Sequence, residues 1–411
     1  MAQRIESARA SAIAGERGGL IAMNTVNQSP VRLARVCMPT TRSFARKVFQ
    51  CSLYEAQDVL VETEAVHLIE LEPLPGFDVR DRWQRRLIYR DLSDRLVLSN
   101  PGLKPVRLTQ DYDVFVAVCQ TYEDLVYLNA IQNWKDRCRT SVCWIDEIWV
   151  SSIAKYKHWL AALRRFDHVF VGYHGTAQPL SEALGQPCHW VPGAVDALRF
   201  TPGLDAPSRV IDVFSMGRRW KGVHESLLQM ARRREIYYVH DTYSGAGATA
   251  FDHREHREIL AAHAQRSRYF MVAPAKMDAL EETRGQVEIG YRYYEGAAAG
   301  SIMIGREPNT PVFRQMFNWP EVVLEIETDG SDVASVIRRL DADPDRLAAI
   351  GRRNAAHALR RHDWIHRWHA IYGSAGVSLS PGMTARRDRL DTLASAIENV
   401  SDSPLRTAAA L

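Results

Sequence analysis

What this chain lacks narrows its reading first. Its cysteines, Cys37, Cys51, Cys119, Cys138, Cys143 and Cys188, contain no CxxC pair. A disulfide-stapled secreted scaffold and the common zinc spacings are therefore excluded. Most sit inside apolar runs such as Val36-Cys37-Met38 and Val142-Cys143-Trp144, and read as buried, reduced thiols of a cytosolic protein. No run of about 18 apolar residues exists to span a bilayer. The first twenty residues carry Arg4, Glu6, Arg9, Glu16 and Arg17, where a secretory leader would need an apolar stretch. An excess of one charge is missing too: Lys plus Arg is 52, Asp plus Glu is 49, and the net charge is +3 over 411 residues. That balance predicts no nucleic-acid partner, while leaving room for a local basic site that takes a small anion.

What is present is ordinary globular material. Apolar residues make up 46% and charged residues 25%, enough for two cores and a prior of two or three domains. From Val31 onward, short apolar runs alternate with helix-like stretches. The runs are 33–38, 66–71, 114–119, 141–145, 168–172 and 188–191. Continuous short runs suit strands buried on both faces of a parallel sheet, and their alternation with helices implies βαβ units. A helical stretch is read between them around Leu125, Leu128 and Trp134. The segment Thr201-Pro202-Gly203-Leu204-Asp205-Ala206-Pro207-Ser208 reads as a linker. The alternation then restarts, with strands at 210–215, 236–239, 269–273 and 301–304. Helices are expected around Val223, Leu227 and Met230, over 254–263 and 286–299, around Val336 and Leu340, over 346–372 with a bend at His362-Asp363, and over 383–400.

Two constellations stand out. Phe214-Ser215-Met216-Gly217-Arg218-Arg219-Trp220-Lys221-Gly222 joins a strand to a helix. Ligands of open α/β sheets sit at such carboxyl ends, and a helix N-terminus there offers free N–H groups to phosphate. Gly217 lets the backbone approach closely, and Arg218, Arg219 and Lys221 add charge. A solvated basic turn explains the same residues. The second constellation runs from Glu288 to Ile304. At i, i+4 and i+7, Glu288, Arg292 and Glu295 share one face of the expected helix. A carboxylate there can hold a ribose diol, or simply pair with Arg292 on a solvated face.

The order strand, Gly-Arg-x-x-Lys-Gly, helix, and later Arg-x-x-Glu-x-x-x-x-Gly before an apolar strand, resembles the donor half of GT-B glycosyltransferases of the group 1 type, including the CgeB-like branch. The likeness covers roughly 165–372. It includes His189-Trp190-Val191-Pro192-Gly193-Ala194-Val195-Asp196 with Arg199-Phe200-Thr201-Pro202, and His362-Asp363-Trp364-Ile365-His366-Arg367-Trp368. The resemblance implies an α/β fold of two Rossmann-like domains facing across a cleft. A tail (1–29) is followed by an acceptor-side domain (30–203) and a nucleotide-sugar domain (204–355). A helix (356–372) crosses back to the first domain, and a helical extension (373–411) ends the chain.

The activity implied is transfer of a sugar from a nucleotide-diphosphate donor to an acceptor the sequence does not identify, retaining and without a metal cofactor. Gly217, Arg218, Lys221, Arg292 and Glu295 would bind the donor; His174, Arg218, Lys221 and Glu288 would act in catalysis. The pattern departs from the family in three places. Glu288 and Glu295 are seven positions apart instead of eight, the Glu-Gly-Phe-Gly cluster is absent, and no glycine-rich loop follows the first strand. A sugar-nucleotide epimerase or hydrolase of the same fold, or a silent binding subunit, are the other readings. His174, after a strand end, could touch donor hydroxyls or take a proton, or be a plain loop histidine. Asp146 and Glu147 could act as base in an inverting reaction, or be favoured by a helix dipole. The face formed by His362, His366 and His369 reads as solvated or interdomain, not metal-binding. No Asp-x-Asp motif suggests a metal-held donor. Trp364 and Trp368 are expected to pack on the first domain. Peripheral membrane contact and the oligomeric state stay open.

Overall fold

The computed structural model of the protein describes residues 34–90, 94–242 and 247–400. The expected tail at 1–29 and residues 401–411 lie outside them. The described strands form two all-parallel sheets. The first holds β1 (Val36–Thr40), β2 (Val66–Glu70), β3 (Tyr112–Cys119), β4 (Cys138–Ile145), β5 (His168–Val171) and β6 (Cys188–Trp190) in the order β2-β1-β3-β4-β5-β6. The second holds β7 (Ile211–Ser215), β8 (Tyr238–His240), β9 (Ser267–Val272), β10 (Ile302–Gly305) and β11 (Leu324–Glu325) in the order β11-β10-β9-β7-β8. Strand order therefore reverses beside β1 and beside β7, and loops at such switch points line crevices. The expected apolar runs became these strands. Only β11 has no counterpart in the sequence reading, being too short for a pattern.

The longer helices are α1 (Cys51–Thr63), α2 (Phe77–Tyr89), α3 (His174–Leu184), α4 (Lys221–Arg232), α5 (His253–Gln265), α6 (Tyr291–Ala298), α7 (Val333–Asp341), α8 (Pro344–Arg361), α9 (Trp364–Ser374) and α10 (Pro381–Glu398). The bend expected at His362-Asp363 is a break, because the Asp363 carboxylate accepts the Ile365 N–H at 2.9 Å and caps α9 afresh. Leu125 and Leu128 lie in a 3₁₀ stretch, Tyr122–Ala130, rather than an α-helix. One apolar core runs from Met38 and Val116 of the first sheet through Leu53 of α1 and Trp364 of α9 to Phe214 and Tyr294 of the second half. Separate clusters cover the outer face of each sheet. Both indoles of α9 turn to the first half: Trp364 Nε1 donates to Glu55 at 3.1 Å and Trp368 Nε1 to the Ala56 carbonyl at 2.9 Å.

The helix read over 286–299 begins only at Tyr291, behind the extended Gly290. Glu288 therefore does not share a helical face with Arg292 and Glu295. Its carbonyl accepts the Ala275 N–H at 3.0 Å, and its side chain is drawn across to the other half.

Candidate functional site

The loop leaving β7 passes through Gly217 at φ +89, a conformation that strains other residues. The Gly217 N–H donates to Asp241 Oδ2 at 3.0 Å, and Arg219 pairs with the same carboxylate. Arg218 is half exposed and pairs with Asp278. Lys221, the first residue of α4, has a side chain 89% exposed and reaches only Glu225, at 3.8 Å. Arg292 of α6 donates through Nε to the Met216 carbonyl at 3.1 Å and through Nη1 to Glu295. The basic loop and the acidic helix thus meet, and Arg292 joins them.

Glu295 is only 1% exposed. Its second oxygen pairs with Arg257 of α5, which also pairs with Glu55 of α1 in the first half. Burial works against a charge on Glu295, but Arg292 and Arg257 outweigh it and hold the carboxyl below its usual range. At Glu55 burial wins over Arg257 and the carboxyl is pushed up. Glu55 also accepts the Asp196 N–H at 2.7 Å. Burial, and then the Arg257 charge, push His256 down to about 4 and keep it neutral.

Nearer the solvent, Glu288 accepts backbone N–H groups of His174 at 3.1 Å and Gly175 at 2.9 Å, at the positive end of α3. Gln286 donates to Glu288 at 2.7 Å and to Thr176 Oγ1 at 2.9 Å. The His174 side chain is exposed, its ring edge-on to Trp190 at 5.0 Å. Asp146, at the end of β4, is buried; it accepts Tyr291 OH at 2.7 Å and Gln120 Nε2 at 2.9 Å. Burial pushes its carboxyl up to about 7. Glu147 pairs with Lys276 of the second half. The helix that follows this pair, Val150–Ile153, is four residues long, and neither carboxylate lies in its first turn.

Gly217, Arg292 and Glu295 therefore come together, with Arg218 at the edge. Glu288 and the His174 backbone form a second contact, and Lys221 stands apart. Glu55, Arg257, Asp241, Gln286 and Tyr291 escaped the sequence reading. Arg257 alone left a trace, as a charge interrupting the buried stripe of Leu260, Ala261 and Ala264 on α5. Among the described residues no group of three His, Cys, Asp or Glu is placed to hold a metal ion, and no helix is long and apolar enough to cross a membrane.

Residues 218–373 match the family model described as Glycosyl transferase-like. This segment is glycosyl transferase-like. It begins inside the β7 loop and contains α6, so the matched glycosyl transferase-like stretch carries Arg218, Lys221, Glu288, Arg292 and Glu295. Among solved structures the chain is similar to an alpha-glucosyltransferase (AGT) in complex with UDP, at 11% identity over 84% of this chain and 100% of that chain, with a TM-score of 0.49. It is similar to the glycotransferase of kitacinnamycin at 12% identity, over 82% and 99% of the two chains, with a TM-score of 0.36. For TarM the values are 8%, 72%, 58% and 0.41. No curated protein matches the chain.

Proposed function

We propose that this protein transfers a glycosyl group from a nucleoside-diphosphate sugar to an acceptor held by the first half. The observation that carries the proposal is the junction of the β7 loop with α6 through Arg292, at a switch point of the second sheet. A diphosphate would lie over Gly217, against the backbone N–H groups of the loop and the start of α4. Arg218, released from Asp278, and Arg292 would neutralise the charge that grows as the sugar leaves. Both Glu295 oxygens are held by arginines, so a ribose diol would take over the oxygen that Arg292 occupies. The Arg292 guanidinium already stands beside Gly217, its Nη2 3.8 Å from where a Cβ on that residue would lie. Glu288 would face the donor sugar between the halves, beside His174. Lys221 contributes only at long range. The cationic loop does the neutralising that a metal ion would otherwise do, and the group 1 likeness favours retention.

The test is calorimetric titration with UDP, GDP and ADP, followed by nucleoside-diphosphate release from the matching sugar nucleotides in EDTA. Replacing Glu295 by Gln should weaken binding of the preferred nucleotide by about 1.5–3 kcal/mol, the scale of charged hydrogen bonds. Arg218→Ala should lower turnover more than affinity. Unchanged affinity in a folded Glu295→Gln protein would remove Glu295 from the donor site. An absolute requirement for added Mg²⁺ or Mn²⁺ would remove the metal-free mechanism.

A further inference from the structure

The helix α2 follows the edge strand β2 of the first sheet, outside the site described above, and its two faces differ sharply. Phe77, Gln84 and Ile88 point inward and are buried. The Gln84 amide donates to the Ser99 carbonyl at 2.9 Å and to Leu96, fixing the rotation of the helix. Asp81 is held by Arg85 at 3.0 Å, away from the outer face. On the opposite side Val79, Arg82, Trp83 and Arg86 fall at i, i+3, i+4 and i+7, one continuous stripe that Arg90 extends at the C-cap. Val79 is 57% and Trp83 54% exposed, and the three arginines are exposed as well. Among the described residues no carboxylate pairs with Arg82, Arg86 or Arg90. The Arg86 guanidinium lies 5.5 Å from the centre of the Trp83 ring.

A solvated helix face has no use for a half-exposed indole and a valine, and a site for free phosphate would not need them. We propose that α2 docks this protein on an anionic lipid surface. The indole and Val79 would enter the headgroup boundary, where tryptophan is favoured, while the arginines keep their charged ends at the phosphates and bury their stems. Each arginine near such a surface adds attraction that salt screens. A second copy of the chain does not fit this face, because it would bring like charges together. A nucleic-acid backbone would use the arginines and leave Val79 and Trp83 in water.

The inference does not depend on the transferase reading and is tested without activity. The whole protein is sedimented with vesicles of equimolar phosphatidylglycerol and phosphatidylcholine, and with phosphatidylcholine alone. Binding should be seen with the first, fall with salt, and be near absent with the second. Arg82→Glu/Arg86→Glu should lower binding to the anionic vesicles by roughly a hundredfold, and Trp83→Ala by roughly tenfold, with unchanged thermal unfolding because all three side chains are exposed. Equal binding to both vesicle types, or wild-type binding by both variants, would overturn the proposal. So would absence of vesicle binding together with a shift of duplex DNA that Arg82→Glu/Arg86→Glu abolishes. A Trp83→Ala change that converts a dimer to a monomer and leaves vesicle binding intact would assign the face to a second copy instead.

Discussion

Among the contacts between the two halves of the molecule, those at a floor and those at a mouth are built from different chemistry. At the floor, Glu55, Arg257 and Glu295 form a chain of charges almost sealed from water, braced by the Trp364 and Trp368 indoles. Beside it Arg386 of α10 joins Asp196 to Asp363, again buried. At the mouth the contacts are part-exposed: Lys276 with Glu147, Gln286 with the Val150 N–H at 3.0 Å, and Glu288 with the start of α3. Buried ion pairs are costly to break one-sidedly, whereas exposed ones are worth little. The floor therefore reads as a fixed hinge, and the mouth as the part that opens and closes. Among the described residues the chain passes between the halves around 191–210 and 361–364, and a backbone pairing of Lys47 with Thr249 joins them as well.

The comparison breaks most visibly at Arg257. Its replacement by Ala leaves the buried Glu55 without a cation and Glu295 with Arg292 alone, and should cost about 3–5 kcal/mol of stability in urea unfolding. Arg257→Lys should recover only part of this, because the guanidinium meets both Glu55 oxygens, one of them at 3.2 Å, and a lysine cannot. A loss below about 1 kcal/mol for Arg257→Ala, the range of exposed pairs, would mean that the floor is no stronger than the mouth.

Asp146, buried at the inner end of the mouth, sharpens the comparison through pH. The folded protein holds its proton up to about 7, whereas the unfolded chain releases it near 3.8. The folded state binds more protons in that window, so this residue's contribution is full below 3.8 and is lost as pH rises towards 7. Asp146→Asn removes the titration. The unpaired Gln120 Oε1 offers the new amide an acceptor once the Gln120 amide turns over. The variant should exceed the wild type by about 2–4 kcal/mol at pH 8 and match it near pH 4. A pH-independent difference between the two proteins would place the proton elsewhere.

The smallest effect is expected at Lys276. Its loss to Ala should change stability by less than about 1 kcal/mol, yet shift the solution ensemble towards an open mouth. Small-angle scattering with and without nucleoside diphosphate reads this directly. A radius of gyration identical in wild type and variant, bound and free, would mean that the mouth does not move.

The two sheets were legible from local pattern, because strands buried on both faces must be written as local apolar runs, and those runs are visible without any partner. The same local pattern placed a basic strand-to-helix loop and an acidic helix in one segment, since each is carried by neighbours within a few residues. A bend at His362-Asp363 was legible as well, but the full break, with Asp363 capping a new helix, was not. Which charges meet, by contrast, depends on packing between distant segments. Glu288 fits the period of α6 as well as Arg292 does, yet the α3 N-terminus, 114 residues earlier in the chain, draws its carboxylate out of the helix. Glu55 and Arg257 are 202 residues apart and meet only because α1 and α5 close the floor together. Burial raises both carboxyls, and the partners then decide: two guanidinium groups hold Glu295 below its usual range, whereas Asp146, with a hydroxyl and an amide for side-chain partners, is pushed up to about 7. Periodicity reports which side of a helix is dry, but the partner that a buried charge finds is a property of the packed whole.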